Sequence, residues 1–188
     1  YGPAWFQQDF QGRKIDIHTG SLSGLIAIIG LDRANAKAVI VLGNRDHAEM
    51  RHALMWEVMD NTRGDERRDW NQEVFDLYAK NAEEARKSWK ETQKERLKNT
   101  KPGLPKAAYP GTYSNSSFGD IQIVGSDSDM ILRTTAVDFE MSHWHLDTFL
   151  VEHEKWDMHE FATFNIDPEG KITSVNAIGH TFERVPGE

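Results

Sequence analysis

The feature that most constrains the fold of this 188-residue chain is a long, uninterrupted helical pattern at residues 69–99. Apolar side chains recur there at spacings of three and four, and no Gly or Pro interrupts the pattern before Pro102. Past Trp89 the residues are mostly charged, so the end of this helix is expected to stand in solvent. Because strand patterns lie on both sides of it, the sequence predicts an α+β protein in which a connecting helix joins two modules. The predicted parts are residues 1–64, 65–106 and 107–188.

Charge divides the chain in nearly the same places. Residues 1–62 carry 6 basic and 7 acidic side chains, residues 63–106 carry 12 and 9, and residues 107–188 carry 4 and 14. An acidic final part repels phosphate backbones, so nucleic acid is not an expected partner. No apolar stretch approaches the roughly 20 residues of a membrane span, and the absence of Cys excludes disulfides and thiolate metal sites.

The first part has the pattern of a small sheet with one helix beside it. Its strand patterns are separated by turn-forming residues and lie at residues 4–10, 14–18, 25–31 and 37–43. The last two are too continuously apolar for a sheet with one wet face, so both faces are expected to be covered. A helical pattern that begins near Asn44 or Asp46 and ends at Gly64 provides one cover. The other cover, and further strands, are expected from residues outside this sequence.

From Tyr109 onward the pattern is that of an all-β domain. Short alternating runs are separated by turn clusters, of which residues 125–129 and 167–170 are the clearest. Seven or eight short strands in this length predict a small antiparallel barrel. A barrel of this size is expected to fill its interior with its own side chains rather than with a ligand. The aromatic residues expected in that core are Trp144, Phe149, Trp156, Phe161 and Phe164.

One short motif, His18-Thr19-Gly20-Ser21, carries the main indication of function. An aromatic-rich strand pattern precedes it, and two more strands and a helix follow. In this order, residues 2–61 resemble the end of the transpeptidase-like domain shared by serine β-lactamases, penicillin-binding proteins and D-aminopeptidase/esterase enzymes. The first residue is Tyr1 rather than Met, so the chain is expected to be a processed or trimmed C-terminal portion of such a hydrolase.

The final part resembles the lipocalin-like C-terminal domain that is often fused to those hydrolases. The segments that carry this resemblance are Tyr-Pro-Gly-Thr-Tyr at 109–113, His-Trp-His-Leu-Asp-Thr-Phe at 143–149 and the turn-containing run at 164–172. Together the two resemblances imply acyl transfer on an ester, a D-amino-acid peptide or a β-lactam, with no cofactor and no metal. They also favour a periplasmic or secreted location.

The resemblance implies a role for each residue of the motif in the complete enzyme. His18 would polarise the site, orient the substrate or assist proton transfer, for which an imidazole is suited. Thr19 would offer its hydroxyl to a substrate carboxylate or amide, and Gly20 would let the substrate backbone approach closely. The backbone N–H of Ser21 would form one half of an oxyanion hole.

The serine nucleophile that such an enzyme needs is absent from this sequence. No Ser is followed three residues later by Lys. Tyr113-Ser114-Asn115 matches the Tyr-x-Asn pattern of another motif of the family, but it lies in the barrel part. Without an activated serine there is no covalent acyl transfer, so the chain by itself is expected to be inert. The expected partner is the missing N-terminal part of the domain or a second copy of the chain. The alternative is a non-catalytic binding or oligomerisation module.

Two histidines in the barrel part leave a choice between packing and metal binding. His143 and His145 share one face of a strand, but zinc normally requires three or four converging ligands. A packed, hydrogen-bonded strand is the favoured interpretation. The further residues that a metal site could use are His153, Glu154, Asp157 and His159.

Overall fold

The chain separates into two compact units, Tyr1–Glu91 and Thr92–Glu188, in the computed structural model. The structure describes residues 1–22, 24–45, 48–62, 66–125, 130–153 and 156–187, and of residues 156 and 157 the backbone alone. One unit holds a four-stranded sheet, and the other a closed antiparallel barrel. The predicted α+β class and the small barrel are therefore confirmed. No helix of the described residues is long and apolar enough to cross a membrane.

The first unit is an antiparallel meander with a helix on one face. Its strands are paired in chain order and its elements are β1 (Phe6–Phe10), β2 (Arg13–Leu22), β3 (Leu25–Asp32), β4 (Lys37–Gly43), α1 (Met50–Met59) and the first part of α2 (Trp70–Glu95). The four predicted strands are thus present, and β2 is longer than its pattern because it continues through the His-Thr-Gly motif.

The core of this unit lies between the sheet and α1. Ile15 and Ile28 from the sheet and Met55 and Met59 from the helix are almost completely buried against one another. Gly30 lets α1 come this close, because a Cβ at that position would lie 2.8 Å from the sulfur of Met55. The expected cap Asp46 and the expected end at Gly64 lie outside the described residues.

A methyl group at Gly30 is expected to destabilise the first unit, whereas one at Gly20 is not. Gly30→Ala overpacks the contact with Met55 and should cost about 1–3 kcal/mol. Gly20 is the matched control in the same sheet, because nothing lies within 4 Å of the Cβ it would gain. Gly20→Ala should therefore stay within about 0.5 kcal/mol of the unchanged protein. Urea unfolding of both variants measures the difference, and equal stabilities would contradict this packing.

Asp60 ties the turn between β1 and β2 to both helices. Its carboxylate accepts hydrogen bonds of 2.8 Å from the Gln11 amide, the Thr62 backbone N–H and the Trp70 indole N–H. Burial by itself raises the pKa of Asp60, but these donors outweigh burial and hold the pKa well below its ordinary value. The folded state therefore favours the ionised carboxylate.

Acid is expected to destabilise the first unit through Asp60. A carboxyl with a lower pKa in the folded state stabilises the fold above its unfolded pKa of about 4, and this stabilisation is lost as the pH falls further. Asp60→Asn should cost about 1–3 kcal/mol at neutral pH, and this cost should shrink from about pH 4 downward. Amide exchange of β2 and β3 at each pH measures it, with the exposed Glu83→Gln as the charge control. A cost that stays constant with pH would contradict the assignment.

Helix α2 ends earlier than predicted. Its last residues, 93–95, are exposed as expected, but the residue that follows them contacts the barrel. The helix ends at Glu95 instead of residue 99, and from Thr92 onward the chain belongs to the barrel unit. Arg96 donates hydrogen bonds to the carbonyls of His143 and Trp144, at 2.9 and 2.7 Å, and its guanidinium lies 4.8 Å from the Trp144 ring. The predicted connecting segment 65–106 is therefore divided between the units.

The second unit is an eight-stranded closed barrel. Every neighbouring pair of strands is antiparallel, and the first strand pairs with the last. A short 3-10 helix (Lys106–Ala108) precedes the strands β5 (Gly111–Asn115), β6 (Gly119–Val124), β7 (Met130–Arg133), β8 (Asp138–His145), β9 (Thr148–His153), β10 (Trp156–Ile166), β11 (Ile172–Ala177) and β12 (His180–Arg184). The sequence runs matched β6 to β12, while β5 is too short and polar to show alternation.

All eight strands contribute buried side chains to one hydrophobic cluster. Phe149 and Phe164 lie in it as predicted, together with Tyr109, whose ring centroid is 4.8 Å from that of Phe164. The prediction was wrong for Trp144 and Phe161, which pack against each other outside this cluster with ring centroids 5.2 Å apart. The side chain of Trp156 and the turn residues 126–129 lie outside the described residues.

Candidate functional site

The four predicted site residues lie on a stretch of β2 that has a paired strand on one side. Pairing of β1 with β2 ends at Phe6 and Ile17, whereas pairing of β2 with β3 continues to Leu22 and Leu25. Among the described residues, no strand pairs with the other edge of residues 18–22. Unpaired backbone donors and acceptors along a strand edge can bind an extended chain.

His18 is held in place through one ring nitrogen. Its Nδ1 lies 2.6 Å from the carbonyl oxygen of Ala4, and its ring meets the Trp5 indole edge-on at 6.2 Å between centroids. Because a carbonyl only accepts, Nδ1 donates, and in the neutral ring Nε2 then carries the lone pair. The imidazole is exposed, so Nε2 is available to take up a proton or to accept a hydrogen bond.

The partner of His18 comes from a tight turn that the sequence did not reveal. Gly2 and Trp5 exchange backbone hydrogen bonds of 2.8 and 3.3 Å, and Ala4 between them has a φ of 63°. A left-handed conformation costs an Ala roughly 1–2 kcal/mol, so the rest of the turn must hold it there. Gly2-Pro3 is a turn signal, but nothing local indicates that the next carbonyl contacts a residue on β2.

The hydroxyl of Thr19 is engaged inside the unit. It donates to the carbonyl of Ala27 on β3 at 2.9 Å and accepts from Nε of Arg51 on α1 at 3.2 Å. Because its proton is already donated to Ala27, this hydroxyl can only accept a further hydrogen bond. It could therefore bind a substrate N–H but not a carboxylate. The expected contact of Thr19 with a substrate carboxylate would require the bond to Ala27 to break.

Arg51 is the second residue that sequence reasoning missed, because it lies within an ordinary helical pattern. It is only 5% exposed, and its Nη2 lies 3.3 Å from the Glu49 carboxylate. Its Nη1 is buried without a hydrogen-bond partner among the described residues. His52 lies 3.2 Å from the same carboxylate, and burial is the main cause that lowers the pKa of His52. A polar cluster therefore lies beneath the motif strand.

Gly20 and Ser21 complete the stretch. Gly20 pairs with Ala27 and is exposed, with open space where a Cβ would be. Ser21 pairs with Ile26 and is also exposed. Both backbones lie on the part of β2 that extends beyond β1, so a bound molecule could reach them. The role of the Ser21 N–H as an oxyanion donor stays a prediction.

His18 shares its face of the sheet with a group of exposed apolar side chains, on the side opposite to α1. In the strand register it lies beside Ile29 and Ile40, and Gly20 lies beside Ala27 and Leu42. An open pocket of about 580 Å³ lies here. We call these exposed side chains the apolar face; they are Leu22 (75% exposed), Leu25 (55%), Ile40 (63%) and Leu42 (76%).

Three histidines of the barrel, His143, His145 and His159, are used in hydrogen bonds. His143 Nε2 donates to the carbonyl of Leu146 at 2.9 Å, and His145 Nδ1 accepts from the backbone N–H of Leu97 at 3.3 Å. In the described ranges, no group of three or more His, Cys, Asp or Glu side chains could hold a metal. His159 pairs with Glu152, whereas Glu154 and the side chain of Asp157 lie outside the described residues.

Tyr113, the first residue of the Tyr113-Ser114-Asn115 sequence, is a core residue of the barrel. Its ring is fully buried, and its hydroxyl donates to the carbonyl of Tyr109 at 2.7 Å. Burial raises the pKa of Tyr113 to about 12. It therefore serves the barrel core and lies in a different unit from His18.

Comparison with known proteins gives one family and several weak structural likenesses. Residues 95–183 match the family described as "Domain of unknown function (DUF3471)". The barrel unit is similar to this family. No curated protein matches the chain.

The solved structures include "Crystal structure of SurE with D-Leu" and "Crystal structure of SurE", each 14% identical to this chain. The TM-scores are 0.40 and 0.39, and the matches cover 96% of this chain but only 38% and 36% of those chains. The chain thus spans little more than a third of their length. Likenesses at these TM-scores establish neither fold nor function.

Proposed function

We propose that the first unit supplies the His-Thr-Gly strand of a serine hydrolase of the β-lactamase, penicillin-binding protein or D-aminopeptidase/esterase type, and that the barrel is its lipocalin-like accessory domain. The observation that carries this proposal is the placement of His18. It lies on the stretch of β2 that extends beyond β1, and its Nδ1 is fixed by the carbonyl of Ala4. The ring borders an open pocket with Nε2 available.

Each group near the pocket has a task in acyl transfer. The Nε2 of His18 accepts a proton or a hydrogen bond from the reacting group. Gly20 leaves room for the substrate backbone, and the Ser21 N–H stabilises the negative charge that develops on the carbonyl oxygen. The attacking serine comes from residues outside this sequence, because no Ser here has a Lys three residues later.

The apolar face supports the same proposal. Burying a Leu or Ile side chain contributes about 1.5–3 kcal/mol relative to leaving it exposed. Four such side chains on one sheet face, next to a strand edge, therefore favour cover by another protein body. In the proposed hydrolase, that body is the part of the domain that brings the serine to His18.

The test compares the 188-residue chain with the natural polypeptide that contains it. We expect the polypeptide to include a Ser-x-x-Lys sequence before residue 1, and to hydrolyse a p-nitrophenyl ester, a D-alanine p-nitroanilide or nitrocefin. Replacing that serine by Ala should abolish turnover, and the 188-residue chain alone should show none. A natural polypeptide without Ser-x-x-Lys would refute the proposal.

The same apolar face also favours the second candidate, a non-catalytic module that assembles with its own copies. In that case the 188-residue chain should sediment as a dimer, and Leu42→Gln together with Leu22→Gln should return it to a monomer. Leu77→Gln is the matched control, because Leu77 is exposed on α2. A dimer from a polypeptide that lacks Ser-x-x-Lys would favour assembly over catalysis.

A further inference from the structure

A second pocket lies in the barrel unit, where β11 begins and β12 ends. Its volume is about 610 Å³, which is within the range of small-molecule sites. Two of its lining residues, Lys171 and Arg184, are cationic. The apolar part of the lining consists of Leu104, Ala108, Ile172, Val185 and Pro186.

In the part of the chain that the structure describes, the two cations of this pocket have no acidic side chain as an ion-pair partner, although the unit is rich in acidic residues. Residues 107–188 hold 14 acidic and only 4 basic side chains. Arg133, which lies outside the pocket, pairs with Asp138 at 2.9 Å. Neither Lys171 nor Arg184 has a carboxylate within ion-pair distance among the described residues. Within the described residues, these two side-chain cations thus form no ion pair, although the Asp167 carboxylate accepts a hydrogen bond from the backbone N–H of Lys171 at 2.7 Å.

The guanidinium of Arg184 is held in position by neutral groups. Its two Nη atoms donate to the carbonyls of Ala108 and Pro110 at 2.8 and 2.9 Å, and it lies 5.6 Å from the Tyr113 ring centroid. Gly111 makes room for it, because a Cβ there would come within 3.3 Å of Nη2. A fixed cation loses little side-chain freedom when an anion binds, so the site is preorganised.

We propose that this pocket binds an aliphatic carboxylate. The carboxylate lies at Lys171 and Arg184, where charge-assisted hydrogen bonds are strong, and the hydrocarbon lies along Leu104, Ile172 and Val185. This binding site is independent of the proposed hydrolase function, since it belongs wholly to the barrel unit.

The first experiment titrates the whole 188-residue chain with hexanoate while amide shifts are followed by NMR. We expect saturable shifts at residues 170–173 and at Val185, with a dissociation constant on the order of 1 mM for so small a ligand. Hexylammonium and hexan-1-ol have the same hydrocarbon chain, and the affinity of each should be lower than that of hexanoate by about tenfold or more. No saturable shift with hexanoate, or equal binding of hexylammonium, would overturn the proposal.

Acetyl-Ala-Leu, a dipeptide with a free carboxylate, tests whether the carboxylate that this pocket binds is the C-terminus of a peptide. If it binds more tightly than hexanoate, the carboxylate comes from a peptide; the reverse order indicates a free acid. Both results support the site.

Variants of Lys171 test the charge without disturbing the barrel, because this side chain is exposed. Lys171→Gln should weaken hexanoate binding about threefold and Lys171→Glu about tenfold. Arg133→Gln is the matched control, since it also removes one positive charge from the barrel unit, and it should leave the affinity unchanged. Unchanged affinity in Lys171→Glu, or equal loss in Arg133→Gln, would show that the cations do not hold the ligand.

Discussion

Replacing Trp70 by Ala is expected to destabilise the first unit by about 3–5 kcal/mol, as for other buried aromatic truncations. Trp70 is 7% exposed and is the buried residue through which α2 joins this core. Its ring stacks on Trp56 with centroids 5.7 Å apart and lies 5.6 Å from Phe10. The substitution leaves a cavity and also removes the indole donor from Asp60.

Amide exchange of β2, β3 and α1 measures this loss separately from the barrel. Phe75→Ala is the matched control, because Phe75 is an aromatic residue on the same helix but is 67% exposed. Trp70→Phe separates the two causes, since it keeps most of the ring packing and loses only the N–H. If Phe75→Ala and Trp70→Ala cost the same, the packing described for α2 is wrong.

The fold was predictable wherever the signal is local. Short runs bounded by turn residues located β2 to β4, period-two alternation located most barrel strands, and period-3.6 spacing located α2, because each pattern arises within one element. The same signals fail at β5, whose five residues are too few and too polar to alternate visibly. Aromatic character alone misplaces Trp144, because alternation from the core residues Phe139 and Met141 puts Trp144 on the opposite face of β8, where it meets Arg96.

The candidate site was predictable only as a list of residues. The motif itself can be recognised in the sequence, and the structure places His18, Gly20 and Ser21 together on the exposed end of β2. The contacts that set the state of these residues come from elsewhere in the chain: Ala4 contacts His18, and Arg51 contacts Thr19. Such contacts depend on strand register and on helix placement, which a single sequence does not encode at the positions involved.

In the complete hydrolase that we propose, His18→Ala is expected to lower kcat/KM by about 100-fold to 1,000-fold. The Nε2 atom that faces the pocket is lost, while the exposed position leaves the fold within about 0.5 kcal/mol. Gln8→Ala, at an exposed position of neighbouring β1, is the control and should keep full activity. Activity of His18→Ala within twofold of the unchanged enzyme would remove His18 from the reaction, and the motif strand would then have only a structural role.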